Sequence, residues 1–387
     1  MDTSSPSNAL LVWESPRREP PVCAVGVVGD FLPYRLAPPE GGSWAGMAEG
    51  LRPCFDDLAV TLVNLEGPVA VEGLPPRAKL GLGHNLSAPE EALDYLAALR
   101  ATVVGLANNH TYDYGPEGLR RTRQAVQERG MVALGAGRTL AEEPEVYLWQ
   151  GPGAVRVGFW AAAKSAVEFA TAAAPGLEVA TAERARQALQ TLRARGATAC
   201  IALLHAGAEH TNYPDPEDVR LMDALAAGGF DVVAACHSHR ISGHAVLPGG
   251  QGGRAAFSFY GLGSLSSGIP YTDLEREGLL VAVGLDAQGA VTRVEVRPIY
   301  LAGPGWGSVP SPEAAQAILG RFRRVSAGVA DGSYRGQFYS DVSRGMFRTQ
   351  ARDILAAYRQ GGLRGVLGKF RRLRMRHVRR LVHRLLG

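Results

Sequence analysis

The chain of 387 residues has only four cysteines, Cys23, Cys54, Cys200 and Cys236, and no CxxC pair among them. That spacing excludes a thiolate zinc module and a disulfide scaffold, and it points to a reducing compartment. No uninterrupted apolar run of about 20 residues occurs, so no bilayer-spanning helix is expected. Residues 1–21 lack the basic start and apolar centre of a secretion signal. They read as a flexible leader, and the expected location is cytoplasmic. Residues 364–387 contain no acid at all, yet hold nine lysines or arginines; removing those nine from the net charge of +4 leaves −5 on the rest. A basic tail thus acts apart from an acidic body. No internal repeat is present.

What is there is a hydrophobic fraction of 46%, enough for an extensive core. Residues 22–28 (VCAVGVV) read as a strand ending at Gly29-Asp30, and 58–63 (LAVTLV) as one ending at Asn64-Leu65-Glu66. A helix over 89–100 follows, with Pro89 in its first turn and Leu93, Leu96 and Leu99 on one face. Strand 102–106 runs into Ala107-Asn108-Asn109-His110-Thr111-Tyr112-Asp113-Tyr114-Gly115, then helix 116–129 and a short strand at 131–134. Next come strand 155–160, helix 182–195 and strand 198–204, which ends at His205. Helix 216–227 leads to strand 230–235, which ends at Cys236-His237-Ser238-His239. Residues 242–265 read as hairpins around a turn at 249–253, and 279–283 with 291–296 as an antiparallel pair. This alternation predicts an α/β fold, a layered β-sheet core with helices on both faces and a C-terminal helical extension. The domain is expected over 22–300. A linker with helices near 312–324 and 347–360 occupies 301–362, and a basic amphipathic helix occupies 363–387.

In open α/β sheets, ligands bind beyond the carboxyl ends of the strands. Five such ends carry Asp30, Glu66, Asn109 with His110, His205, and His237 with His239. A single histidine there is an ordinary hydrogen-bonding residue, and Asn-Asn or Asp-Tyr-Gly suits a turn. Unrelated structural needs would not put a potential ligand at every end. Imidazole, carboxylate and amide oxygen together suit one or two divalent ions, Zn, Fe or Mn. His-x-His at a strand end is expected to point both rings to one side. A carboxylate such as Glu66 can bridge two ions about 3.5–4 Å apart.

Gly29-Asp30, Asn64-Leu65-Glu66, Ala107-Asn108-Asn109-His110 with Asp113 and Gly115, His205-Ala-Gly-Ala-Glu209, His237-Ser-His239 and Tyr260-Gly-Leu-Gly-Ser264 follow one another in order. In that order the sequence resembles the CapA family of bacterial capsule, or poly-γ-glutamate synthesis, proteins, which are built on the calcineurin-like metallophosphoesterase fold. The resemblance covers roughly 23–268. It implies Asp30 as a ligand of a first metal and Glu66 as a bridge. It implies Asn109, His205 and His237 as ligands of a second metal, with His239 returning to the first. His110 becomes the non-ligand imidazole that protonates a leaving group, with Asp113 orienting it. Glu209 becomes a partner of a ligating histidine, and Arg35 a counter-charge for a substrate phosphate or carboxylate. Ser264 stands where the family usually carries Asn, and the resemblance implies a residue that touches substrate or supports a ligand. Asp30-Phe31-Leu32 lacks the histidine of the ordinary Asp-x-His motif, and Glu66 replaces the usual Asp; the CapA family shares both features. Cys236 is expected as a small buried residue rather than a soft ligand, and Asn108 as a turn residue.

The function so implied is metal-dependent work on a small anionic or glutamate-containing substrate. It makes or processes a poly-γ-glutamate-like, amide-linked product through phosphoryl, acyl-phosphate or amide chemistry. A phosphomonoesterase or phosphodiesterase is the alternative enzyme, and the missing Asp-x-His histidine counts against it. A non-catalytic capsule or envelope assembly protein is the third class. In the tail, Leu363, Val366, Leu367, Phe370 and Leu373 recur at three- and four-residue steps with arginines between them. That pattern suits an acidic polymer or the anionic inner face of a membrane. Nucleic acid is disfavoured, because no recognised binding fold accompanies the basic run.

Overall fold

The computed structural model describes residues 9–16, 19–78, 85–166, 168–248, 254–269 and 272–344. The chain divides into two units, Met1–Arg335 and Gly336–Gly387. In the second, the described residues 336–344 are helical. The turn expected at 249–253, the helix at 347–360 and the basic helix over 363–387 lie outside the described residues. Among those described, no helix is long and apolar enough to cross a membrane.

The first unit begins with β1 (Leu10–Glu14), β2 (Cys23–Leu32), α1 (Trp44–Met47) and β3 (Leu58–Leu65). It continues through α2 (Leu93–Ala98), β4 (Val103–Gly105), α3 (Gly115–Glu128), β5 (Val132–Leu134), β6 (Ala136–Arg138) and β7 (Val146–Gln150). Then follow β8 (Arg156–Ala163), β9 (Gly176–Leu177), α4 (Ala182–Ala194), β10 (Ala199–Ala206), α5 (Pro216–Ala227) and β11 (Val232–His237). The unit closes with β12 (His244–Leu247), β13 (Ala256–Phe259), β14 (Ser264–Ser267), β15 (Glu277–Leu285), β16 (Val291–Ala302), β17 (Trp306–Ser308) and α6 (Pro312–Asp331). One sheet has the order β1-β16-β15-β2-β3-β4-β5, with β14 beside β2 and β17 beside β16; a second has the order β12-β13-β11-β10-β8-β7. Strands β2 to β5 pair in parallel, as do β8, β10, β11 and β13.

The period-two alternation of these strands sorts their side chains into layers. On β10, Ile201 and Leu203 face between the sheets and pack with Val25 and Val27 of β2 and Val60 and Leu62 of β3. Cys200, Ala202 and Leu204 face the other way, against Ala185 and Leu192 of α4 and Met222 and Leu225 of α5. Val63 and Leu65 of β3 pack against Leu93 and Leu96 of α2 and Leu119 and Val126 of α3. The result is the expected layered α/β core, with helices outside both sheets. Its helix starts are written locally: Thr181, Asp215 and Ser311 cap α4, α5 and α6 with their side-chain oxygens.

Two boundaries differ from expectation. Leu10–Glu14, inside the supposed leader, pairs antiparallel with β16, and Trp13 meets Phe257 edge-on at 5.3 Å. Five residues with a bulge between Leu11 and Trp13 carry too weak an alternation to be read as a strand. The domain also continues past 300. Strand β17 pairs with β16, and Ile318, Leu319 and Phe322 of α6 enter the core between the sheets. The Gly/Pro-rich stretch before α6 is a turn within this unit rather than a linker between units.

Candidate metal centre

Inward-facing rows on three strands lead to the site, two of them without interruption. On β3 the row Val60, Leu62 continues to Asn64, and on β10 the row Ile201, Leu203 continues to His205. On β2 the row Val25, Val27 would reach Gly29, but the register slips between Val28 and Asp30. This bulge turns Asp30 inward in place of Gly29. Gly29 is needed there because a Cβ would stand 2.0 Å from the carbonyl oxygen of Gly263.

Asp30 is fully buried. Its Oδ1 accepts from Asn64 Nδ2 at 2.7 Å and its Oδ2 from the backbone N–H of His237 at 2.9 Å. His205 Nε2 is 2.7 Å from Asn109 Oδ1 and 3.9 Å from Glu66 Oε1. His239 Nδ1 is 3.3 Å from Asp30 Oδ2 and 3.7 Å from Glu66 Oε2. The rings of His205 and His237 lie 4.4 Å apart. Ligand atoms of Glu66, His205 and His237 form one group within 4.8 Å, and those of Asp30, Glu66 and His239 form another. Glu66 belongs to both, as a bridging carboxylate must.

The His-x-His pair does not arise from strand alternation. β11 ends at His237, whose φ is 104°, and His239 has φ 55°. Such left-handed backbone costs a β-carbon residue about 1–3 kcal/mol and is held only where the surroundings impose it. The rings end 6.3 Å apart and inclined at 61°.

Both carboxylate oxygens of Glu66 and the Nδ1 atoms of His237 and His239 are buried without a hydrogen-bond partner. Each orphaned buried polar atom costs about 1–3 kcal/mol. Four such atoms converging from three residues fit a divalent cation, and the oxygen and imidazole donors fit Zn, Fe or Mn. A third group, Asp30, His205 and Cys236, does not fit one. Asn64 Nδ2 lies between two of its members, 2.7 Å from Asp30 Oδ1 and 3.5 Å from His205 Nδ1. The Cys236 thiol donates to the Leu204 carbonyl at 3.6 Å, and burial pushes its pKa well above the ordinary thiol range. Cys236 is a small buried residue, as expected.

Burial pushes the Glu66 carboxyl well above its ordinary range, and nearby Asp30, Glu209 and Asp113 add to this against the opposing His239. For Asp30, burial acts upward too, but His239, His205 and the His237 amide outweigh it and hold the carboxyl well below its usual range. His239 is the counterpart: burial acts downward, and Glu66 and Asp30 outweigh it, raising the imidazole to about 10. Burial pushes His205 well down, reinforced by His237, and pushes His237 down to about 4.

At the rim, His110 Nδ1 is 2.7 Å from Asp113 Oδ2, and the same oxygen accepts from the backbone N–H of Leu86 at 2.7 Å. His110 is therefore a neighbour of the cluster with its ring held by a buried carboxylate. Ser264 pairs with Asp30 in the β14–β2 register, and its buried Oγ has no partner. Glu209 is half exposed and lies 4.0 Å from His210, and its negative charge reaches His237 and His239. Arg35 is exposed and stacks 5.0 Å over the ring of its neighbour Tyr34. Asn108 is no simple turn residue, being fully buried and bonded to Asn64 and to the Leu65 carbonyl. Asn64 escapes a reading of the sequence because an amide at the end of an apolar strand has no local signature. Its partners lie 34 and 44 residues away.

The profile of the bacterial capsule synthesis protein family PGA_cap matches residues 24–268, which hold every residue of this cluster. The chain belongs to that family. Among its relatives, the capsule biosynthesis protein CapA of Bacillus anthracis is 29% identical over 207 residues, 52% of this chain and 48% of that protein. The PGA biosynthesis protein CapA of Bacillus subtilis (strain 168) is 25% identical over 289 residues, 72% of this chain and 71% of that protein. The match to the first thus spans about half of that relative's length. Among solved structures, the calcineurin-like phosphoesterase YfkN from Bacillus subtilis is similar at a TM-score of 0.41 and 13% identity, over 79% of this chain and 97% of that one. The 5'-nucleotidase precursor from Thermus thermophilus is similar at a TM-score of 0.45 and 15% identity, over 78% and 58%. The layered architecture of this PGA_cap protein rests on its own strand pairing, not on these likenesses.

Proposed function

We propose that this chain is a metal-dependent enzyme of CapA type that makes or processes a poly-γ-glutamate-like, amide-linked product. The supporting observation is the convergence of the orphaned atoms of Glu66, His237 and His239 beside Asp30, His205 and Asn109. One or two divalent ions bound there would polarise a phosphoryl or acyl oxygen of an anionic or glutamate-containing substrate. The chain's own part is proton handling and orientation. Asp113 holds Nδ1 of His110, which leaves Nε2 as the atom that delivers a proton to a departing oxygen. Ser264, buried beside Asp30, offers a hydroxyl to the substrate. We place the work at the cytoplasmic face of the membrane, with 363–387 as the contact to an anionic surface or acidic polymer.

The test starts from metal content of the purified protein, followed by turnover of phosphate esters and of ATP with glutamate-containing acceptors. Wild type is expected to bind Mn, Zn or Fe, and His237→Ala to lose it. His110→Ala is expected to retain metal and lose about 10²–10⁴-fold in rate. No bound metal, and no activity after adding Mn or Zn, would remove the enzymatic reading. Ester hydrolysis with no use of glutamate acceptors would assign a phosphoesterase instead.

A further inference from the structure

Beneath the proposed ligands lies a pair of asparagines that belong to neither the ligand set nor the acid pair. Asn64 is 2% exposed and Asn108 fully buried. Asn64 Nδ2 donates to Asp30 Oδ1 at 2.7 Å, and Asn64 Oδ1 accepts from Asn108 Nδ2 at 3.2 Å. Asn108 Nδ2 also donates to the Leu65 carbonyl at 2.8 Å, and Asn108 Oδ1 accepts from the backbone N–H of His110 at 3.1 Å. The hydroxyl of Thr111, which also donates to the Leu106 carbonyl, stands at the far end, 3.0 Å from Asn108 Oδ1.

This chain of amides has a direction. Rotating Asn64 by half a turn would set its oxygen against the Asp30 carboxylate. Rotating Asn108 would set its oxygen against the Leu65 carbonyl and its NH₂ against the His110 N–H. Both reversals bury like groups together, at about 1–3 kcal/mol for each group left unsatisfied. The two amides can therefore sit one way only. That way ties a carboxylate on β2 to the loop after β4 that carries Asn109 and His110.

We propose that Asn64 and Asn108 form a buried amide relay that holds Asp30 and the Asn109–His110 loop in one fixed relation. Both are positioning residues: Asn64 acts through Asp30, and Asn108 through Asn64 and the backbone of His110. The relay makes the geometry of the cation site and that of the proton-carrying imidazole a single property, so loosening either amide is felt at both. The proposal rests on the metal reading above, and its test separates the two.

The measurement is a cobalt(II) titration of the full chain, read by the visible absorption of the bound ion and accompanied by melting curves without metal. Asn64→Ala is expected to weaken binding about 10–100-fold, as loss of an outer-sphere partner does. Asn108→Ala touches no proposed ligand side chain, yet is expected to weaken binding about tenfold and to change the absorption bands. The double variant is expected to bind no more weakly than Asn64→Ala alone, because one link already breaks the relay. Wild-type affinity and bands in Asn108→Ala, or multiplicative losses in the double variant, would overturn the relay. Failure of wild type to bind cobalt would overturn the metal reading and the relay with it. If Asn108→Ala does not fold, Thr111→Val removes only the hydroxyl at the far end. A shift of the bands in that variant supports the relay, and unchanged bands and affinity overturn it.

Discussion

His239 Nδ1 stands 3.3 Å from Asp30 and 3.7 Å from Glu66, both buried. With its imidazole raised to about 10, it keeps its proton at neutral pH, while His237, pushed down to about 4, is already neutral. The sign of the linkage follows. The cation stabilises the fold fully below the ordinary histidine pKa of about 6.5, and that contribution fades as pH rises through about 10. An entering metal ion competes with the same proton. Metal affinity is therefore expected to rise between pH 7 and 10, about tenfold per unit for one displaced proton. Calorimetric titrations in two buffers of different ionisation enthalpy check this, and a heat independent of the buffer would contradict it. Asn64 and Asn108 show why other residues escape notice in the sequence. A buried amide matters through what it bonds, and its partners stand far off along the chain.

At the scale of elements, the decisive feature is the bulge in β2. Apolar runs are enough to reveal β2, β3, β10 and β11, and each carries its expected carboxylate or imidazole within two residues of its carboxyl end. The slip between Val28 and Asp30 is not written in any local pattern, because it depends on how β2 registers against β3. Gly29→Ala would press a methyl into the Gly263 carbonyl, backbone against which nothing flexible can yield. It is expected to destabilise the protein by about 1–3 kcal/mol and to weaken metal binding by misdirecting Asp30. Chemical denaturation together with metal titration checks both; an unchanged midpoint and affinity would remove the role given to the bulge. The left-handed turns at His237 and His239 belong to the same class of feature. Strand periodicity would place the two rings side by side, whereas the chain leaves the strand to deliver them.

At the scale of the whole molecule, the acidic body and the basic 364–387 segment divide the charge between them. Removing 364–387 is expected to abolish co-sedimentation with anionic vesicles while leaving metal content intact; equal partitioning of the two proteins would reject the surface role. The sequence by itself determined the alternation of strand and helix, the strand ends where donors gather, and the order of motifs shared with the PGA_cap family. These are legible because hydrophobic period and turn chemistry act over a few residues. Only the tertiary structure decided which donors meet, that Glu66 is common to two groups, and that Asn64 fills the space between Asp30 and His205. It also decided that β1 and α6 complete the core. Each of these depends on the register between strands, the stacking of two sheets, or a bulge. Those are contacts between residues tens to hundreds of positions apart, and no local pattern encodes them.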